Sequence, residues 1–451
     1  MSNDIRIKKG LDIKLNGEAE KTVEQAIISN YSTIRPEDFH GVTPKLVAKE
    51  GTLVKAGSTL FFDKYQETVK FSSPVSGKVV EVLRGPKRRI DAIKIEADKI
   101  QTFEDFGKFD IDASKPEEIK AHLLASGCWP FVKQRPYDVI ANPEKSPKAI
   151  FISGYASAPL AADLDFTLQG KESELQAAVS ALGKLTEGKV HVSVGKNGNS
   201  PLAGLNGVIL HKVSGPHPSG NVGTQINKID PINKGEVVWT VSPQDLVIIG
   251  ELLLTGNFNA ERIVALVGSS VEKPRYFKTI AGSEIATIVY DKGVSKDGND
   301  RIISGNVLSG KQIQTDGNLD YYSNVVSIIP EGDDYELFGW TKPVFNKVST
   351  SRALTFSWLN PNKKYDLNTN TNGEHRAFVT TGTYEKVFPL DIFPMQILKA
   401  CMYQDLDEME ALGIYEVASE DFALTEIVCV SKQPHQKIIT QRVDLMHNEI
   451  G

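Results

Sequence analysis

His217 stands in the most unusual segment of the chain, Ser214-Gly215-Pro216-His217-Pro218-Ser219-Gly220-Asn221-Val222-Gly223-Thr224-Gln225. Its glycines are separated by four residues and then by two, which is not the GxGxxG of a dinucleotide fold, and no GxxxxGK[ST] occurs anywhere. Two readings stay open: a tight loop stiffened by two prolines, or a ligand or partner surface on which a rigid turn presents an imidazole. The second candidate is the loop Cys128-Trp129-Pro130-Phe131-Val132-Lys133-Gln134-Arg135-Pro136. It sits where an α/β fold would place a glycine-rich cradle for phosphate, yet it is built from Trp, Pro, Phe and long side chains, so a phosphate cradle is not expected.

Conventional catalysis has little support. The eight histidines include no HExxH, GxSxG is missing, and the acids Asp405, Asp407, Glu408 and Glu410 fit the solvated face of a helix better than an acid/base pair. The three cysteines, Cys128, Cys401 and Cys429, are too far apart in sequence for a CxxC motif, and their odd, sparse number excludes a disulfide framework. A reducing, cytosolic setting fits that usage.

The elements around these candidates can be read from pattern. Pro116, with Ser114 and Glu117 read as a capping box, opens a helix whose stripe is Ile119, Leu123 and Leu124 and whose left-handed stop is Gly127. The run Ala149 to Gly154 is a buried strand, followed by a helix carrying Leu175, Val179, Leu182 and Leu185 up to Gly188, then strands from Val190 and Gly207. This alternation predicts a mostly parallel open sheet with helices on its faces. Upstream, Asn16-Gly17 is a hairpin signal, and residues 42–96 hold two sets of short strands turning on Gly51, Gly57, Gly77 and Gly85. Those sets resemble a biotinyl/lipoyl-like barrel-sandwich. The tip that bears biotin or lipoate in carriers of that fold reads Asp63-Lys64-Tyr65-Gln66-Glu67-Thr68 here, so Lys64 is expected to be a plain surface lysine.

The segment Arg262 to Gly282, with a short helix from Ser283 to Tyr290, resembles the soluble-ligand-binding β-grasp (SLBB) module, and more strands lie at Arg301 to Val307 and Asn324 to Ile329. Beyond it the chain turns irregular at Phe338-Gly339-Trp340 and polar at 360–375, which reads as a mobile loop. It then becomes helical over Pro394 to Leu412 and Glu420 to Val430 before a basic tail. The expected architecture is therefore multidomain α/β: residues 1–100 barrel-sandwich, 101–257 Rossmann-like, 258–330 SLBB, and 331–451 mainly helical.

Composition bounds the rest. At 451 residues, 40% hydrophobic and 24% charged, this is an ordinary globular chain. A net charge of −6, with no basic segment alternating with aromatics, makes nucleic acid an unexpected partner. The opening MSNDIRIKKG lacks the apolar core of a signal peptide. The longest greasy run, Leu246 to Leu254, is nine residues with Glu251 inside it, against the roughly 20 needed to cross a bilayer. The loop Arg84-Gly85-Pro86-Lys87-Arg88-Arg89 reads as a solvated turn or as a contact for a partner or an anionic lipid face.

Several of these segments, in this order, resemble one family: IKKGLDI, FFDK with VKFSSPVSGKV and RGPKRR, SGPHPSGNVGT, FGW, and YEKVFPLDIFPMQ with DLDEMEALG. The family is NqrA, the A subunit of the sodium-translocating NADH:quinone oxidoreductase (Na⁺-NQR), and the resemblance runs from about Ile7 to Cys429. It implies a peripheral protein on the cytoplasmic face of the bacterial inner membrane, in a six-subunit pump that couples NADH oxidation and quinone reduction to Na⁺ export. FAD, FMN, riboflavin, Fe–S and Na⁺ sites would then belong to partner subunits, chiefly the membrane-bound B subunit and the FMN-bearing C subunit. The family is similar in turn to the flavoprotein subunit of complex I and to the C subunit of the Rnf complex. Where those relatives carry a nucleotide loop like GRGGAGFP, this chain has GCWPFVKQRP, and where they hold an Fe–S cluster with four cysteines, only Cys429 stands at a matching position.

The resemblance thus implies a chain with no tightly bound cofactor of its own, serving in assembly and quinone binding. The expected quinone site is the crevice where His217 meets the 128–136 loop, with Trp129 and Phe131 as an apolar wall and His217 donating to a carbonyl. A flavin- and NADH-binding dehydrogenase subunit is the alternative, to be recognised by bound flavin. A biotin or lipoyl carrier is a third, to be recognised by modification of Lys64. The tail from Lys432 departs from the usual family ending.

Overall fold

The computed structural model describes residues 3–26, 29–289, 299–333, 336–342, 347–350, 358–379 and 382–449, and structural statements below refer to these. They form four sheets of seven, six, four and three strands. The seven-stranded sheet runs Asn3–Arg6, Ile209–Ser214, Lys189–Gly195, Ala149–Gly154, Val238–Thr240, Lys133–Arg135, Val139–Ile140. Its first five strands are parallel, and the last two close it antiparallel.

The strand Ala149–Gly154 shows why this sheet must be covered twice. Ile150 and Ile152 join the core that includes Leu175, Val179 and Leu182 of helix Glu172–Gly183 and Leu246, Ile249 and Leu253 of helix Pro243–Thr255. Ala149 and Phe151 point the other way, into a cluster with Ile226 of helix Val222–Ile229. Apolar side chains on both faces are the mark of a parallel sheet sandwiched by helices. The two helices on the first face cross so closely that a Cβ on Gly250 would lie 1.9 Å from the Glu174 carbonyl oxygen.

The barrel-sandwich is the pair of small sheets, Tyr31–Ile34, Ile90–Ala97, Gly77–Arg84, Leu53–Val54 and Pro44–Leu46, Thr59–Asp63, Lys70–Ser72. The six-stranded sheet is the β-grasp unit, Lys311–Ile313, Asp300–Ser304, Val325–Pro330, Glu261–Val267, Arg275–Ile280, with Glu20–Gln25 at its edge. The first 25 residues, expected in the barrel-sandwich, therefore lend one strand to each of the two other sheets. No hairpin turns at Asn16-Gly17; Gly17 instead passes against Gly268, whose N–H donates to its carbonyl at 2.9 Å.

Other boundaries shift for local reasons. The capping box lies one residue later than expected: helix Pro116–Ser126 is capped at Lys115, whose N–H donates to Glu118, while the Ser114 hydroxyl turns back to the Asp110 carbonyl. Gly127 is the left-handed stop, at φ 77°. The next helix ends at Gly183, so Leu185 packs from the following turn, and Gly188 is needed because a Cβ there would lie 1.7 Å from the Lys148 carbonyl oxygen. The short helix expected from Ser283 to Tyr290 is described as Ala286–Val289, and Tyr290 lies outside the described residues.

In the C-terminal region, Pro394–Tyr403 and Leu406–Ala411 form a helix pair broken at Gln404. The span 420–430 is a 3-10 turn, Ser419–Phe422, leading into Ala423–Ile427, and the supposed tail is a 15-residue helix, His435–Glu449. Ile439, Val443 and Met446 bury that last helix against Ile397, Leu398 and Phe422.

Candidate functional site

A cleft of about 540 Å³ opens at the carboxyl ends of strands Ala149–Gly154 and Val238–Thr240. The chain leaves the first of these strands towards one side of the sheet and returns on the other, so the cleft lies at the point where strand order reverses. That is where open α/β sheets bind ligands. One wall is the 128–136 loop, through Phe131, Lys133 and Arg135; the facing wall is Ser157 with Gly220; Tyr322 and Lys311 of the β-grasp unit close it.

The three residues singled out from sequence take different places around this cleft. Phe131 is in its wall, with its ring stacked on Tyr321 at 5.5 Å and the Arg262 guanidinium 5.7 Å from its centroid. Trp129 lies behind that wall, fully buried, its Nε1 donating to the Ala141 carbonyl at 2.7 Å and its ring edge-on to Trp239. His217 lies behind the other wall, also buried, with Nδ1 3.1 Å from the Ser157 Oγ. Burial pushes His217 down to about 4, against a small opposing pull from Asp12, so the ring is neutral at physiological pH.

Sequence reading missed the groups that surround Arg135. This guanidinium is almost fully buried at the cleft and meets three carboxylates: Asp138 at 3.3 Å, Glu420 at 2.8 Å and Asp421 at 3.7 Å. Burial disfavours its charge, but the carboxylates outweigh burial and hold its pKa above the ordinary value. Asp421 responds oppositely. Burial, with Glu420 adding repulsion, raises it to about 7 in spite of Arg135. One signal was available in the sequence: the acidic pair Glu420-Asp421 precedes an apolar helix, as an N-terminal cap would.

Asp421 also decides what the helix Val222–Ile229 can bind. A Cβ on Gly223, in its first turn, would lie 2.8 and 2.9 Å from the two Asp421 carboxylate oxygens. A carboxyl group of the chain itself therefore crowds the first turn of this helix, its Oδ2 accepting the Ala418 N–H at 2.9 Å, and that crowding does not fit a flavin phosphate there. Among the described residues no group of three or more His, Cys, Asp or Glu is arranged to hold a metal ion. Lys133, which makes no ion pair among the described residues, places its ammonium 4.3 Å from the centre of the Tyr322 ring.

Comparison with known proteins bears directly on this arrangement. Residues 5–98 match the NqrA N-terminal barrel-sandwich hybrid domain, 114–258 the NqrA second alpha/beta domain, and 263–315 the NQRA C-terminal domain. The A subunit of the Na(+)-translocating NADH-quinone reductase of Neisseria meningitidis is 36% identical over 99% of this chain and 100% of its own length. That of Cellvibrio japonicus is 35% identical with the same coverage. The chain belongs to the NqrA family. Among solved structures, an NAD+-reducing [NiFe]-hydrogenase aligns over 77% of this chain and 67% of its own, at 10% identity and a TM-score of 0.37, a likeness that carries no argument. The match to the N. meningitidis protein takes in most of the tail after Lys432.

Within this member of the NqrA family, three of the motifs that carried the resemblance, IKKGLDI, SGPHPSGNVGT and YEKVF, meet behind the cleft. The Gly10 N–H donates to Lys386 of the YEKVF segment, Leu11 N–H donates to the His217 carbonyl at 2.9 Å, and Asp12 Oδ1 accepts the His217 N–H at 3.0 Å. A Cβ on Gly10 would lie 2.1 Å from the His217 carbonyl oxygen, and one on Gly215 2.3 Å from that of Ile7. IKKGLDI is thus the clamp on SGPHPSGNVGT. Elsewhere, Lys64 is exposed, with its ammonium 5.3 Å from the Tyr65 ring centre. Cys429 is buried and accepts the Tyr384 hydroxyl at 3.1 Å. No helix among the described residues is long and apolar enough to cross a membrane.

Proposed function

We propose that this chain is the peripheral scaffold of a Na⁺-translocating NADH-quinone reductase, and that it binds a quinone ring in the cleft at the sheet's switch point. In this reading the chain sits on the cytoplasmic face, contacts the membrane-bound B subunit and the FMN-bearing C subunit, and leaves flavin, Fe–S and Na⁺ sites to its partners. Its modules divide near residues 100, 257 and 330. The observation that carries the reading is the asymmetry of the cleft. It offers aromatic walls at Phe131 and Tyr322, while Asp421 crowds the first turn of the helix Val222–Ile229. A flat, uncharged ring with carbonyl oxygens suits that environment, and a flavin nucleotide does not.

Titration calorimetry on the purified chain tests this. A short-chain, water-soluble benzoquinone is expected to bind saturably with one site, and FMN is expected to give no heat above dilution. Saturable FMN binding, or silence with the quinone, defeats the assignment of the cleft. The assembly half of the proposal is tested separately, by co-purification of the B and C subunits with the tagged chain from solubilised membranes.

A further inference from the structure

Ser157 is a polar side chain of the cleft that is held firmly from behind. Its Oγ accepts the Gly220 N–H at 2.7 Å and lies 3.1 Å from His217 Nδ1, and it lines the cleft itself, whereas His217 does not. The approach leaves no slack: a Cβ on Gly220 would lie 2.8 Å from that oxygen and 2.5 Å from the Tyr155 carbonyl. The ring is fixed in turn by Asp12 and Leu11 on its backbone and by its own burial.

A serine hydroxyl has a single proton, and the histidine tautomer decides where it goes. If Nδ1 is bare, Ser157 donates to the ring and shows only a lone pair to the cleft. If Nδ1 carries the proton, both Gly220 and His217 donate to Ser157, whose own O–H is then free to point at a ligand. A quinone offers acceptors only. We infer that Ser157 is the hydrogen-bond donor to a ligand carbonyl in this cleft, and that His217 is a positioning residue held as its Nδ1–H tautomer. The inference rests on the cleft being the quinone site, and it moves the carbonyl contact from the histidine to the serine.

Burial keeps the ring neutral in the physiological range, so it carries a single N–H, and an acceptor-only ligand on Ser157 favours placing that proton on Nδ1. The same short-chain benzoquinone, titrated into the full-length chain, is the probe. Ser157→Ala should weaken binding about five- to tenfold, the value of one neutral hydrogen bond. Ser157→Thr should restore it to within about twofold. His217→Asn, which keeps an N–H near the Nδ1 position, should bind more tightly than His217→Leu. Nitrogen-15 spectra of histidine-labelled chain saturated with quinone should show His217 protonated at Nδ1, a readout that does not depend on the folding of any variant. Binding that Ser157→Ala leaves unchanged, or an Nε2–H tautomer in the complex, overturns the inference while the quinone site stands. Failure of the wild-type chain to bind overturns both.

Discussion

Residues 128–136 and residues 214–225 face each other across one cleft and are built in opposite ways. The first loop is bulky: Trp129, Phe131 and Val132 are buried, and the indole N–H finds its acceptor in Ala141. The second is small, and its glycines are each pressed against another part of the chain, Gly215 against Ile7, Gly220 against Ser157 and Gly223 against Asp421. In a phosphate cradle glycines leave backbone N–H groups open to a ligand. Here the glycines let protein approach protein. Glycine content alone would have pointed to the wrong wall, because what matters is which atoms fill the space a Cβ would take.

If the bulky wall is structural, breaking it should cost stability before it costs anything else. Trp129→Ala should destabilise the chain by about 3–5 kcal/mol, read from the denaturation midpoint, because it empties a packed site against Trp239 and orphans the Ala141 carbonyl. A loss under about 1 kcal/mol would place Trp129 in an open wall instead. Smaller, but still large, is the effect at the mouth of the cleft. Arg135→Met removes the guanidinium shared by Asp138, Glu420 and Asp421 and should cost about 3 kcal/mol near neutral pH. The loss should shrink in acid, where Asp421, raised by burial, is protonated, which thermal melts at pH 5 and pH 7.5 would show.

The two walls were also unequally legible in the sequence. Strand and helix order through the α/β region followed from apolar periodicity, since Ile150, Ile152, Leu175 and Val179 repeat as their elements require. The rest depends on contacts between residues far apart in the chain, which periodicity does not carry. Arg135 meets Glu420 across 285 positions and His217 meets Asp12 across 205. The strand at residues 3–6 pairs with one beginning at Ile209, so local turn chemistry at Asn16-Gly17 predicted a hairpin that longer-range pairing overrode. Ser157 gave no signal, being one small residue in a run of Ala, Ser and Pro.

The finest test of the contrast lies in Asp421, the carboxylate that occupies the small wall's helix end. Burial lifts its folded pKa from the ordinary aspartate range to about 7, so the folded state holds a proton that the unfolded chain releases. Stability from this group is therefore present in acid and is lost as pH rises between about 4 and 7. Asp421→Asn cannot release that proton. Relative to wild type it should gain stability between pH 5 and pH 8, by an amount on the order of 2 kcal/mol. Asp38, raised to about 6 chiefly by burial, contributes a slope of the same sign, so the difference between variant and wild type, not either curve alone, isolates Asp421. Melts across pH 5 to 8 that run parallel for the two proteins would mean that Asp421 stays ionised against Arg135.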